Sequence, residues 1–159
     1  MISAFPELPL TVDTLLSQTD DWQYRLFHLA TPLPGAVRIV NHLHAHRIPI
    51  AVATSSRRFY FLAKAAHSPD LFACFDEKSV CGDDPGVAKV KPAPDLFLAA
   101  AREKLGFDVG TPGAVCTDAQ AKVRAKGLVF EDASVGVQAA KRAGMHGSPF
   151  QRQKEKCQS

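Results

Sequence analysis

Two short apolar runs that end abruptly in polar residues restrict the fold of this chain more than any other feature. Ile48 to Ala53 is continuously apolar and leads into Thr54-Ser55-Ser56. Leu128 to Phe130 leads in the same way into Glu131-Asp132. Runs of this kind are typical of strands that a parallel sheet buries on both faces. Helical patterns separate the runs, so the sequence predicts an α/β fold with a parallel sheet.

The helical segments have recognisable starts and ends. Pro94 in the first turn and Gly106 just past the end delimit a helix between them. Thr117 and Gln120 have the spacing of a capping box. The spacing predicts helices over residues 11–29, 36–46, 59–66, 71–75, 95–105, 117–126 and 134–143, and strands over residues 48–53, 79–81 and 128–130.

Length and charge narrow the class of protein. A chain of 159 residues fits one domain with a real core. A net charge of +3 is too small to favour a nucleic acid partner. No apolar run approaches the roughly 20 residues that cross a bilayer. The start lacks a basic segment and contains two prolines, so we expect no signal peptide. None of the four cysteines forms a Cys-x-x-Cys pair, which indicates reduced thiols and a cytoplasmic protein.

Thr54, Ser55 and Lys91 are candidates for binding an anion. A strand that ends in hydroxyls at a helix entrance can bind phosphate through O–H and backbone N–H groups. The alternative is an ordinary helix N-cap, where Ser and Thr are favoured anyway. Lys91 precedes Pro92, so we expect an extended backbone that aims the ammonium. A solvated surface lysine is the alternative.

Glu131 and Asp132 are candidates for binding a metal. Paired carboxylates at the tip of a buried strand suit a divalent cation. The alternative is acidic charge at a helix N-terminus, where the helix dipole favours it. Asp83-Asp84, in contrast, is expected to form a turn, because Pro85-Gly86 follows directly.

In this order and spacing, these segments resemble the haloacid dehalogenase superfamily of phosphohydrolases. The resemblance is to its pseudouridine-5′-phosphatase-like branch with a helical cap, and extends from about residue 15 to residue 145. The stretches that carry it are Pro34-Gly35-Ala36, His42-Leu43, residues 48–57, Gly82-Asp83-Asp84-Pro85, residues 91–95, residues 129–133 and Ala143-Gly144-Met145.

The resemblance implies a Rossmann-like core with a parallel sheet and a role for each candidate residue. Thr54 and the Ser55 N–H correspond to the phosphate-binding motif. Lys91 corresponds to the lysine that stabilises the nucleophile and the developing phosphoryl charge. Glu131 and Asp132 correspond to Mg²⁺ ligands. Residues 1–33 would be a remnant of the helical cap and linker, residues 34–145 the core, and residues 146–159 a disordered tail.

The sequence departs from the family pattern at both ends. The family's nucleophile is the first aspartate of an Asp-x-Asp motif on the first core strand, and no such motif occurs in these 159 residues. The segment after Met145 does not resemble the last core strand. We therefore expect the first and last strands to be missing. The first lies centrally in the family sheet, so its slot must be filled by Met1 to Phe5, by closure of the flanking strands, or by another chain.

The expected function follows from this mixed pattern. By resemblance it is Mg²⁺-dependent hydrolysis of a small phosphomonoester of the nucleotide or sugar phosphate type. Without the nucleophile we expect little or no turnover by this chain and weak or absent Mg²⁺ binding. Alternatives are a catalytically inactive phosphate-binding or regulatory protein and a truncated gene product. The expected partners are a small phosphorylated metabolite and, through the unfilled slot, a second copy of the chain; no nucleic acid or membrane partner is expected.

Overall fold

Two separate pairs of parallel strands, packed among helices, form the framework of the protein. The structure, a computed structural model, describes residues 11–149. Helices α1 to α7 are Val12–Leu26, Ala36–Ala45, Arg58–Ala65, Pro69–Ala73, Asp95–Ala99, Asp118–Arg124 and Ser134–Arg142, and strands β1 to β4 are Val52–Ala53, Ser79–Val80, Leu128–Glu131 and His146–Pro149. Within the described range, no helix is both long and apolar enough to cross a bilayer.

Each strand pair has its own register. In the first pair, β1 runs parallel to β2 with Val52 opposite Ser79. In the second pair, β3 runs parallel to β4 with Leu128 opposite His146. The two pairs are distinct sheets, so no backbone ladder joins β1 to β3 across residues 11–149. The predicted parallel arrangement is confirmed, and closure of the flanking strands onto each other does not occur.

Helix α5 is buried on nearly every side and connects the two strand pairs. Its Leu96 and Ala99 pack with Val80 of β2. Its Phe97 and Leu98 belong to a second cluster, on the side of β3 and α7. Ala53 of β1 packs against both clusters. A helix that is apolar all round is typical of the centre of a core, which is where α5 lies.

The predicted helices lie close to the observed ones. The capping box of α6 is confirmed: the Gln120 N–H donates to Thr117 Oγ1 at 3.2 Å, and the Thr117 N–H donates to Gln120 Oε1 at 3.1 Å. The helix predicted over residues 95–105 is α5 followed by a π-helical turn, Ala100–Lys104. In that turn the Leu105 N–H donates to the Ala100 carbonyl at 3.2 Å.

Two sequence predictions about strands were wrong. Residues 146–149, assigned to a disordered tail, form β4, so a strand does follow Met145. The run from Ile48 to Ala53 is a strand only at Val52–Ala53. β4 escaped prediction because backbone pairing with β3 and the close packing of Gly147 on α7 form it, rather than an apolar side-chain pattern. Met1 to Phe5 and residues 150–159 lie outside the described residues.

The predicted turn at Asp83-Asp84 also anchors helix α3. Nε of Arg58 donates to Asp84 Oδ1 at 3.2 Å, its Nη2 bonds Asp84 Oδ2, and its Nη1 donates to Ser79 Oγ at 2.6 Å. Asp84 Oδ2 also accepts the Cys81 N–H at 2.9 Å, and Asp83 accepts the Arg58 N–H at 2.7 Å. These bonds tie the loop after β2 to the start of α3.

Removing this anchor should destabilise the protein. We expect Arg58→Ala to lower the free energy of unfolding by about 1–3 kcal/mol, because Asp84 and Ser79 lose a charged donor. Arg57→Ala is the matched control. The Arg57 side chain is 71% exposed and its Nε lies as far as 3.9 Å from Asp83 Oδ2, so this ion pair is weak and its loss should cost less than about 0.5 kcal/mol. Urea denaturation of both variants measures the difference, and equal effects would contradict the anchor.

The thiol of Cys81 should make stability depend on alkaline pH. Burial raises the pKa of this thiol from 9.0 to about 11, with Arg58 acting in the opposite direction. The unfolded chain therefore releases the thiol proton at a lower pH than the folded protein does. The contribution of the protonated thiol to the free energy of unfolding is complete below pH 9 and is lost as the pH rises from 9 to 11. The free energy of unfolding of the wild type should fall relative to that of Cys81→Ala over this range. A constant difference between the two would refute the effect.

Candidate functional site

The turn after β1 presents a backbone donor to solvent. The Thr54 N–H donates to the Val80 carbonyl at 2.9 Å, and Thr54 Oγ1 accepts the Ser56 N–H at 3.1 Å. Ser55 between them is exposed. Its N–H has no acceptor among residues 11–149. The turn therefore holds Thr54 in place and leaves the Ser55 N–H available to an anion.

Gly82 allows the loops after β1 and β2 to approach each other closely. Its N–H donates to the Ser56 carbonyl at 3.0 Å. A Cβ at this position would lie 2.5 Å from the Ser55 carbonyl oxygen, which is closer than real Cβ atoms come. Gly82 is therefore required for the shape of the Thr54–Ser56 turn.

Lys91 is a nearly buried cation at the start of the segment that leads into α5. Its side chain is 12% exposed, its Nζ bonds Glu131 Oε1, and Nζ lies 4.9 Å from the centre of the Phe97 ring. The backbone makes a turn here, closed by the Ala93 N–H on the Val90 carbonyl at 3.0 Å, and the Lys91–Pro92 peptide bond is cis. The extended backbone expected at Lys91 itself stays a prediction, and the ammonium is held in place by Glu131 and Phe97.

Glu131 and Asp132 are adjacent in sequence but differ in environment. Glu131, the last residue of β3, is 10% exposed and paired with Lys91. Asp132 is exposed. Gly136, on the buried face of α7, makes room for Glu131, because a Cβ at residue 136 would overlap the Glu131 carboxylate. The chain thus directs one carboxylate onto Lys91 and leaves the other open to solvent.

A large cleft separates β1 from β3, and three of the candidate residues line it. Its volume is about 880 Å³. Ala51 to Ala53 and Leu128 to Phe130 line it. Lys91, Glu131 and Asp132 also line it. Thr54 and Ser55 do not line it but directly follow Ala53. The structure therefore brings Lys91 and both carboxylates to one cleft. The Thr54–Ser56 turn begins at the residue after Ala53, which also lines the cleft.

The carboxylates fit a magnesium ion only as a partial set of ligands. Mg²⁺ in phosphate-handling sites is held by one or two carboxylates, with water and substrate oxygens completing the octahedron. Asp132 and Glu131 match that requirement, although Glu131 already bonds Lys91. Among residues 11–149 no three His, Cys, Asp or Glu side chains lie together, so a site made of protein ligands alone is not formed there.

Sequence reasoning missed several residues that position this site. Phe97 lies under the Lys91 ammonium, and Arg142 donates to the Pro92 carbonyl at 3.0 Å. Buried Asp95 accepts the Lys89 N–H at 3.0 Å. Gly136 had a usable signal, because a glycine inside a helical pattern often marks a close approach. The other three look like ordinary core or surface positions, and only the tertiary structure identifies them.

Comparisons with known proteins agree with the fold. Residues 3–144 match the family model of haloacid dehalogenase-like hydrolases. The chain is 40% identical to (DL)-glycerol-3-phosphatase 2 of Arabidopsis thaliana over 137 residues, which is 86% of this chain and 51% of that protein. It is 39% identical to a "probable pseudouridine-5′-phosphatase" of Drosophila melanogaster over 140 residues, which is 87% of this chain and 54% of that protein.

A solved structure gives the same result for the fold. A haloacid dehalogenase hydrolase of family IA, variant 3, from Entamoeba histolytica superposes with a TM-score of 0.63 at 22% identity. The match covers 92% of this chain and 60% of that one. This chain spans about half the length of the two curated relatives.

The contact between Gly136 and Glu131 leads to a stability prediction. Gly→Ala inside a helix normally stabilises by up to about 1 kcal/mol. Gly136→Ala should instead lower the free energy of unfolding by about 1–3 kcal/mol, because the methyl group displaces Glu131 from Lys91. Gln138→Ala, at an exposed position of the same helix, is the control and should change it by less than about 0.5 kcal/mol. Urea denaturation decides, and a stabilised Gly136→Ala protein would contradict the contact.

Proposed function

This chain belongs to the haloacid dehalogenase-like hydrolase family, and we propose on that basis that its strand tips bind the phosphate group of a small phosphomonoester. One relative is named as a glycerol-3-phosphatase and another as a probable pseudouridine-5′-phosphatase, and these names support a small phosphomonoester as the ligand. The chain covers about half of those proteins, so the activity and the substrate belong to this proposal.

The position of the Lys91 ammonium is the observation that best supports the proposal. It is nearly buried, directed by Glu131 and Phe97, and borders an open cleft. An ammonium has three donors, and Glu131 Oε1 is its one hydrogen-bond acceptor among residues 11–149. Two N–H groups therefore remain for a phosphate oxygen. The Ser55 N–H, which has no acceptor among residues 11–149, would supply a second kind of donor for the same anion.

Each candidate residue has a distinct part in binding. Thr54 fixes the turn through the Ser56 N–H, and Ser55 donates its own N–H to phosphate. Lys91 neutralises phosphate charge from a position that is set before the ligand arrives. Asp132 and Glu131 would hold Mg²⁺, which neutralises further phosphate charge when bound.

Hydrolysis by this polypeptide alone is expected to be very slow. No Asp-x-Asp pair occurs in the 159 residues, so the carboxylate that the family resemblance assigns to attack on phosphorus has no counterpart here. Mg²⁺ binding should be weak for the same reason. In this proposal the described residues contribute to binding of phosphate and metal rather than to attack on phosphorus.

A phosphate-binding or regulatory protein without hydrolysis is the second candidate. The observation that favours it is that Ser55 and Lys91, whose roles are in binding, are both positioned to act. A truncated gene product without independent function stays as the further alternative. We also propose a cytoplasmic location, since Cys74, Cys81 and Cys116 are free thiols.

Phosphate binding should depend on Lys91. Titration calorimetry with inorganic phosphate and with glycerol 3-phosphate, with and without Mg²⁺, should detect binding that Lys91→Gln weakens by about tenfold or more, because a charged hydrogen bond is lost. Lys89→Gln, with the same charge change at an exposed residue two positions away, is the control and should retain affinity. Equal weakening by both variants would show that phosphate is attracted by nonspecific charge rather than bound at Lys91.

Turnover should be absent from the purified chain. With Mg²⁺ and p-nitrophenyl phosphate, glycerol 3-phosphate or pseudouridine 5′-phosphate, we expect phosphate release no faster than in buffer, because no nucleophile is available. Assays at several enzyme concentrations, with Asp132→Ala in parallel, separate true activity from contamination. Turnover that Asp132→Ala abolishes would contradict this expectation and favour a complete active site.

A further inference from the structure

Two histidines lie side by side at the C-terminal end of α2. His42 is in the last turn of the helix, and His46 is its C-cap residue. The spacing of four residues places both side chains on one face of the helix. Their ring centroids are 4.2 Å apart, and both residues are exposed. Neither lines the cleft that contains Lys91, so the pair is separate from the candidate phosphate site.

The ring of His46 has the orientation and the tautomer of a metal ligand. Its Nδ1 lies 2.8 Å from the His42 carbonyl oxygen. A carbonyl oxygen only accepts hydrogen bonds, so Nδ1 carries the proton and donates it. In the neutral ring, Nε2 then holds the lone pair that binds a metal. A backbone carbonyl is a usual partner for the second nitrogen of a metal-binding histidine, because it fixes both the tautomer and the ring orientation.

The ring of His42 is available to complete a chelate. Its nitrogens have no hydrogen-bond partner among residues 11–149. Two nitrogens that bind one Zn²⁺ at about 2.0 Å with tetrahedral geometry lie about 3.3 Å from each other. Rings whose centroids are 4.2 Å apart reach that separation when the His42 ring turns toward Nε2 of His46.

The charges around the pair act in both directions. The C-terminal end of a helix carries a partial negative charge, which favours a cation there, and α2 has ten residues. Arg38, one turn before His42, and Arg47, next to His46, oppose a second cation. Both arginines are exposed, so solvent and salt screen this repulsion. The helix end and the two imidazoles therefore decide the balance.

The donor atoms determine the class of metal. Imidazole nitrogen suits Zn²⁺, Ni²⁺ and Cu²⁺, whereas Mg²⁺ prefers oxygen ligands. In the part of the chain that the structure describes, no group of three His, Cys, Asp or Glu side chains lies together. Water or an added chelator would therefore occupy the other coordination positions of a metal bound to this pair.

We propose that His42 and His46 form a two-ligand site for a divalent transition-metal ion, with Zn²⁺ as the ion to test first. Each ring would bind it through Nε2. Only a formed helix end holds both imidazoles close together, so bound metal would favour the folded chain. The proposal does not depend on the proposed phosphate function, since the two sites share no residue.

Titration calorimetry with ZnCl₂ tests the site on the full 159-residue chain without a histidine tag. His42→Ala and His46→Ala should each weaken Zn²⁺ binding by about tenfold or more, because a chelate becomes a single-ligand contact. His44→Ala is the matched control. His44 is exposed on the same helix, but its Nδ1 lies 2.9 Å from the Cys74 carbonyl oxygen, so its loss should leave the affinity unchanged.

A spectroscopic measurement counts the ligands directly. Cu²⁺ held by iminodiacetate keeps positions for two further nitrogens and reports them in pulsed electron paramagnetic resonance. The wild type should show two imidazole nitrogens on Cu²⁺, and His42→Ala should show one. A merely structural role of either histidine would not change this count.

An added carboxylate should strengthen the site. Arg38→Glu replaces a like charge with a metal ligand one turn before His42, and should raise the Zn²⁺ affinity by about threefold or more. A gain in affinity cannot result from misfolding. Lys91→Gln should bind Zn²⁺ as the wild type does, and Mg²⁺ should not displace Zn²⁺, because the phosphate site is separate.

Several results would overturn the proposal. Absence of Zn²⁺ binding, or a single nitrogen on Cu²⁺ in the wild type, would exclude the chelate. Binding that survives in both His42→Ala and His46→Ala would place the metal at other ligands, such as the exposed thiol of Cys116. Equal weakening by His44→Ala and His46→Ala, or no gain in Arg38→Glu, would contradict a site on this face of α2.

Discussion

Burial of helix α5 between the two strand pairs is the interaction on which the rest of the structure depends. β1 and β3 share no backbone hydrogen bond, so side-chain packing through α5 must hold the halves together. The same helix positions the candidate site. Its first residue, Asp95, accepts the Lys89 N–H, and its Phe97 lies under the Lys91 ammonium. Changes in the packing of α5 would therefore reach both the stability of the fold and the position of the cation.

The ion pair of Lys91 and Glu131 prepares the site before any ligand binds. Both side chains are close to 10% exposed, and a nearly buried charge without a partner would be strongly destabilising. Gly136 makes the pairing possible, since any larger residue there would occupy the space of the Glu131 carboxylate. A phosphate that reaches Lys91 can bond its remaining donors without breaking the pair. The cation does not have to be ordered during binding, which lowers the entropy cost of binding.

Sequence patterns predicted the architecture well but local backbone geometry poorly. Apolar periodicity and capping residues located the helices, because burial and capping depend on nearby residue types. The π-helical turn after Ala99, the turn at Lys91 and strand β4 were missed. β4 depends on pairing with the distant strand β3, which the residue types of 146–149 do not indicate. The assignment of Thr54, Ser55, Lys91, Glu131 and Asp132 to binding stays a prediction, although the structure brings the last three together around one cleft.

The cleft combines apolar walls with three charged residues, Lys91, Glu131 and Asp132. A phosphomonoester is strongly hydrated, and burying it between walls such as Val40 and Phe97 would remove water without replacing its hydrogen bonds. We therefore expect a phosphomonoester to meet the charged residues of the cleft, Lys91, Glu131 and Asp132, rather than its apolar walls.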